Sequence, residues 1–325
     1  MRRLALALTL LAAPLHAECS GHNLIPGLPA DQLATLHAAT DSQPFAHGNL
    51  WHATRGTDDI TLVGTFHLAD PRHDATVAAL APAMARATAL LVEAGPIEEA
   101  ALKDLLGREP QRMIDNTGPT LPETLPAADW QHLSDALKSR GIPAFMAAKM
   151  RPWFLTSILA IPACQFSATA AEGGLDKRLM AAAADQNLPI QGLEPFDTIF
   201  GIFDQFTTAD QMAMLIQTVN TEAASDDMAA TLSDTYFAGD ARLFWEFSRQ
   251  VTLNQPGMTK AEADREFALV EAAMMTKRNA SWIPAIKAAA AKGPIVVAFG
   301  ALHLSGAAGV LNLLAKDGYT ITPIP

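Results

Sequence analysis

Cysteine is scarce in this chain: its 325 residues contain two, Cys19 and Cys164. Neither lies in a C-x-x-C or other metal-type spacing, which excludes a cysteine-held metal site. In an oxidising compartment the two could pair and tie the N-terminal segment to the body, closing a long loop. In a reducing one they stay as two partly buried thiols. Positive charge is also in short supply, with 23 Lys and Arg against 34 Asp and Glu and a net charge of −11. Without a basic run beyond the first residues the surface repels a phosphate backbone, which excludes nucleic acid as a partner. Beyond the N-terminus no apolar run reaches the ~20 residues of a transmembrane helix. Several catalytic signatures are missing too: H-E-x-x-H, the G-x-S-x-G nucleophile elbow, the Walker A loop and G-x-G-x-x-G. Cys164 has no histidine near it in sequence, so cysteine catalysis gains no support.

What is present is a chain half of whose residues are hydrophobic, enough for a large core. Its N-terminus reads as an export signal: Arg2 and Arg3, an apolar run Leu4–Leu15, then Ala17 before Glu18. Residues 1–17 are expected to be removed, leaving 18–325 as a single domain. Glu18 stands before Cys19 where a lipoprotein signal needs a small residue. The expected product is a soluble periplasmic or secreted protein with no membrane anchor.

Asn49–Thr54 and Asp59–Val63 read as strands joined by a turn at 55–58. Ala89–Glu93, Leu188–Leu193, Pro294–Phe299 and Tyr319–Ile324 are further strand candidates. Apolar residues recur at helical spacing in Thr76–Leu90, Asp176–Gln186 and Ala261–Ala291. This alternation predicts an α/β (α+β) fold, a central mixed sheet flanked by many helices. Gly107–Pro126, punctuated by prolines and glycines, reads as a long loop or flap.

Two short motifs of the form G-x-x-H lie far apart in the chain, Gly64-Thr65-Phe66-His67 and Gly300-Ala301-Leu302-His303. Each ends an apolar strand, so each delivers its histidine to the carboxyl edge of a sheet, where open α/β sheets bind ligands. Glu93 and Glu194 end two other strands. Helix-start signals follow: Asp70-Pro71 after His67, Gly95-Pro96 after Glu93, Pro195 after Glu194 and Ser305 after His303, the last read as the N-cap of a helix over 306–315. Two imidazoles and one or two carboxylates form a mixed nitrogen and oxygen donor set suited to Mn, Fe, Co or Zn. Such an ion would acidify a bound water, and a carboxylate could take its proton. Spacing alone does not say which glutamate is ligand and which is base. Of the other histidines, His73 falls in the first turn of the next helix, beside the site at most, while His22, His37, His47, His52 and His132 are expected to be solvated.

The segments 62–70, 91–93, 192–194 and 297–306 together resemble the TraB/GumN family. Lesser matches are Met150-Arg151-Pro152-Trp153, Gly174-Leu175-Asp176, Gly239-Asp240 and Arg278-Asn279-Ala280-Ser281-Trp282. The family includes the Tiki-type metalloproteases and is related to erythromycin esterases and haem-binding ChaN-like proteins. The resemblance implies a metal-dependent hydrolytic site at His67, Glu93, Glu194 and His303, acting on a peptide or small molecule. Two other readings use the same residues: a non-catalytic module holding haem or metal, and a metal-independent esterase with histidine as general base. The role of Arg278 and Asn279 does not follow from their positions, which fit a helix surface or core edge as well as a substrate contact.

Overall fold

Gly56 and Thr57 reverse the chain between β1 (Leu50–Arg55) and β2 (Asp58–Thr65). Gly56 has φ +60°, the left-handed conformation that a two-residue hairpin turn requires. A computed structural model describes residues 19–255 and 258–325; the expected export signal lies outside them. The hairpin forms one side of a six-stranded mixed sheet with strand order β4-β3-β5-β2-β1-β6. β3 (Ala89–Val92), β4 (Ile190–Gly192) and β5 (Ile295–Gly300) run parallel to β2, whereas β1 is antiparallel to both β2 and β6 (Thr320–Pro323). The predicted α/β class and all six expected strands are present.

The central strands are apolar throughout because helices cover both faces. On one face Val63, Leu90, Val92, Val296 and Ala298 meet Leu80 and Met84 of helix His73–Arg86 and Leu175, Leu179 and Ala183 of helix Leu175–Asp185. On the other, Ile60, Leu62, Leu91, Val297 and Phe299 meet Trp282 and Ile286 of helix Lys277–Ala290 and Leu311 and Leu314 of helix Val310–Lys316. Between β3 and β4, and again after β4, the chain leaves the sheet to build a helical layer of its own, with Leu133, Leu137, Leu155, Leu159 and Leu215 at its centre.

Four local expectations are overturned. The helix predicted over Thr76–Leu90 spans His73–Arg86, because Ala87 turns extended and Thr88 donates its N–H to Pro294 O, which starts β3. Asp70 is no helix N-cap: its carboxylate takes the Arg72 N–H and guanidinium, and the helix begins after them. Ser305 does not cap the last helix, which begins at Val310 after Gly309, since Gly306 with φ +96° extends the turn. Gly107–Pro126 is not structureless either. It holds the end of helix Pro96–Arg108, a 3-10 turn at Pro110–Arg112 and a helical turn at Leu121–Thr124, and Ile114 forms a β-bridge with Met150.

Cys19 and Cys164 are joined in a disulfide. It fixes the segment before helix Ala30–Asp41 to helix Ala163–Glu172, reinforced by the His22 N–H donating to Asp227 Oδ1. None of the described helices is long and apolar enough to cross a membrane. Because the crosslink closes a loop of 145 residues, Cys164→Ser should cost about 2–5 kcal/mol of stability. The measurement is a denaturant midpoint with and without reductant. Reductant should bring the wild type down to the variant, and a wild-type midpoint indifferent to reductant refutes the crosslink's contribution.

Candidate active site

β2 and β5 are parallel neighbours with Thr65 opposite Gly300, so both G-x-x-H segments leave the sheet side by side. Each motif glycine makes room for the other motif. A Cβ on Gly64 would lie 2.6 Å from Leu304 Cδ1 and 2.9 Å from the Ala301 Cα, and one on Gly300 would lie 3.3 Å from both His67 Nε2 and Glu93 Oε1. β3 and β4 pair in turn with Val92 opposite Gly192, and the Glu194 N–H reaches Glu93 O at 3.3 Å. The topology therefore gathers all four predicted residues at one carboxyl edge.

His303 is buried, its side chain 8 % exposed against Trp282 at 4.6 Å between ring centroids. Its Nδ1 lies 2.5 Å from Asn279 Oδ1, while the Asn279 amide donates to Ala308 O at 2.9 Å. Asn279 is thus an acceptor towards the ring, which places the proton on Nδ1 and leaves the Nε2 lone pair facing the site. Burial, helped by the charges of Arg278 and His67 and opposed by Glu93, lowers its pKa to about 4. His303 is a neutral imidazole at physiological pH.

His67 is held the same way by a different partner, Asp176 Oδ1, 3.0 Å from its Nδ1. Gly174 permits this contact, since a Cβ there would lie 2.2 Å from Phe66 O; without one, the Leu175 N–H bonds that carbonyl at 2.9 Å and Asp176 follows. Desolvation lowers the pKa of His67, but the hydrogen bond and charge of Asp176, with the charge of Glu93, outweigh it and raise the value to about 9. The side chain keeps 61 % of its surface, so solvent screens the pair and the desolvation is partial.

Arg278 stands between the glutamates. Its Nε and Nη2 each donate to Glu194 at 2.8 Å, Nη2 donates to Glu93 Oε2 at 2.5 Å, and Nη1 donates to His303 Nε2 at 3.3 Å. Glu93 accepts the Gly300 N–H on its other oxygen at 2.7 Å. Burial pushes Glu93 up, yet the surrounding charges of His303, His67 and Arg278 bring it down to about 2. Glu194 goes the opposite way: burial and the charge of Glu93 raise it despite Arg278 and the Trp282 indole N–H. The two carboxylates are thereby distinguished. Glu93 is an ionised group with Oε1 beside Gly300, and Glu194 is an anchor for Arg278.

Asp176, Arg278 and Asn279 were not among the predicted site residues, although all three lie in the motifs matched above. Arg278 follows a π-helical turn, Ala272–Thr276, in which its Nη1 donates to Met274 O. Such turns shift the register of a helix and occur often at functional sites. His73 stays out of the site: its buried ring packs among Phe66, Tyr236 and Phe237 and bonds Leu68 O, holding the segment that carries His67. No three donor atoms of His67, Glu93, Glu194 and His303 lie within 4.8 Å of one another. Among the described residues that criterion is met by Cys19, Cys164 and Asp226, whose sulfurs are spent in the disulfide.

A mixed sheet with two histidines and two glutamates at the carboxyl edge of its parallel strands defines the class of site. The TraB/PrgY/gumN family model matches residues 49–323, and the chain belongs to that family. No curated protein and no solved structure matches the chain.

The His67–Asp176 pair has a measurable signature. His67 should titrate near 9, and Asp176→Asn should bring it down, as followed by NMR of the ring. Because the folded-state value is raised, the pair's stabilisation is complete below about 6.5 and is lost as pH rises through about 9. A His67 that titrates normally in the wild type removes the pair.

Proposed function

We propose that this chain is an exported, metal-dependent hydrolase in which His67, His303 and Glu93 hold one divalent cation. The observation that carries the reading is the orientation of the two rings: Asp176 and Asn279 engage both Nδ1 atoms, so each Nε2 would be the donor once the His67 proton is displaced and the Arg278 bond to His303 released. The donor types suit a cation, which would have to draw the three groups closer together than they stand here. A Cβ added to Gly300 would touch His67 Nε2, Glu93 Oε1 and the His303 ring, so the missing side chain leaves a space bordered by two imidazoles and a carboxylate. Charge supports the same conclusion. With both imidazoles neutral, the carboxylates of Asp176, Glu93 and Glu194 face the single guanidinium of Arg278, a deficit of two positive charges.

A divalent ion there would supply Lewis acidity toward a substrate carbonyl. The protein's own groups do the rest. Glu194 fixes Arg278 through a two-pronged ion pair, and Arg278 holds Glu93 by Oε2 so that Oε1 stays beside Gly300. Burial excludes water around His303 and Glu194, while His67 stands at the open side where a substrate enters. Peptide bonds are the substrate class that the family resemblance implies, and the disulfide supports export.

A second reading rests on its own observation. A histidine with Nδ1 on a carboxylate and Nε2 exposed is also a general base, so His67–Asp176 could serve a metal-free esterase in which Arg278 stabilises negative charge. Metal analysis and calorimetry separate the two. The first predicts one Mn, Fe, Co or Zn ion per chain, lost in His67→Ala, His303→Ala and Glu93→Gln. Because binding must displace the His67 proton, affinity should rise about tenfold per pH unit below the His67 pKa of about 9. A protein that takes up none of these ions, yet hydrolyses esters in the presence of a chelator, belongs to the second.

A further inference from the structure

A cavity of about 490 Å³ lies in the helical layer, walled by the segment 109–124, by Ala148–Trp153 and by helices Thr198–Phe203 and Thr208–Asn220. Its size is that of a small-molecule pocket. Two features left over from the sequence meet in it, the proline- and glycine-rich stretch 107–126 and the motif Met150-Arg151-Pro152-Trp153. A short two-stranded strap locks them together: the Asp115 N–H donates to Lys149 O at 2.8 Å, and the Arg151 N–H donates to Met113 O at 2.7 Å. The walls are preformed.

The apolar lining is aromatic. Trp153 packs edge-on against Phe200 at 5.8 Å and lies tilted on Phe203 at 5.2 Å. The polar lining is led by Arg151. Its Nε donates to Gln111 O at 2.9 Å, which fixes the guanidinium, and its two Nη groups make no hydrogen bond to any described residue. The neighbouring charges are largely committed. Arg112 pairs with Glu109 and stacks on Phe200, Lys149 donates to Gly118 O, and Asp115, whose charge also faces Arg151 without a hydrogen bond to it, accepts from Thr117 and Gly118. Asp204, also in the lining, has a carboxylate with no partner among the described residues. A planar fork with both prongs unspent matches a carboxylate in two-pronged fashion, and aromatic walls match an apolar body. An unpaired acceptor in the same lining matches an N–H of the same ligand.

From this we infer a second binding site, distinct from the His67–His303 centre, that takes a carboxylate beside an apolar side chain and an amide N–H. That is the chemistry of an N-acylated amino acid or of a peptide's C-terminal residue. It does not depend on whether the other centre binds metal.

The test is calorimetry on the purified full chain, with Trp153 fluorescence as a second readout. The probes are N-acetyl-phenylalanine, its C-terminal amide, and N-acetyl-Ala-Ala-Phe as free acid. The acids should bind, and the amide should bind about tenfold or more weakly, the loss expected for a charge-assisted pair. Arg151→Gln should erase that preference. Thr208→Trp, an exposed position at the cavity wall, should block every probe, and His67→Ala should change nothing. Stronger binding of the tripeptide identifies a peptide C-terminus as the ligand, whereas equal binding identifies the single acylated residue. Should Arg151→Gln fail to fold, Thr208→Trp decides alone. Equal affinity for acid and amide, binding that survives Thr208→Trp, or no binding of any probe overturns the inference.

Discussion

The pairing of β2 with β5 is the contact on which everything else hangs. Two segments more than two hundred residues apart lie side by side and in parallel, and the register that sets Thr65 against Gly300 also sets one histidine turn against the other. Parallel strands require a connection that crosses over the sheet, and here that connection is the greater part of the chain, residues 66–294. The helical layer, β3 and β4 are all inserted between the two partners. The glycines then determine how closely the two turns approach, since a methyl group at Gly64 would collide with the backbone of the opposite turn.

Strands and turns were readable because their signals are local. Val, Ile and Leu runs ending in glycine, the Gly56 turn and Pro96 after Gly95 specify conformation within a few residues, and the six strands follow. His67, Glu93, Glu194 and His303 were legible for the same reason, each being the residue that a strand end delivers. Asp176, Arg278 and Asn279 were not, because they arrive from helices, whose side chains meet the sheet edge through packing alone. Asp176 depends on Gly174 letting a helix abut the Phe66 carbonyl, a contact that exists only once β2 and that helix are docked. Arg278 depends on the register shift of a π turn, which has no compositional signal. Capping at Asp70 and Ser305 was misjudged for a related reason: the Arg72 side chain and the left-handed Gly306 gave the backbone a different route.

The electrostatics of the site follow from burial. Two carboxylates beside each other in an apolar setting cannot both stay ionised without a counter-charge, and Arg278 supplies one. The remaining negative potential appears at His67, the most exposed member, as a proton held well beyond the normal range. A site with such a deficit favours positive charge, and the Arg278 guanidinium and the His67 proton are the two that answer it here.

β5 is the keystone of the sheet. It flanks both β2 and β3, yet it lies within the last tenth of the sequence. Take it away and the sheet falls into two pieces, β1, β2 and β6 on one side and β3 with β4 on the other, each with an apolar edge bare to solvent. A truncation or mutation that unseats this one strand would therefore open two edges to mispairing with other chains, and it would part the second histidine from the first.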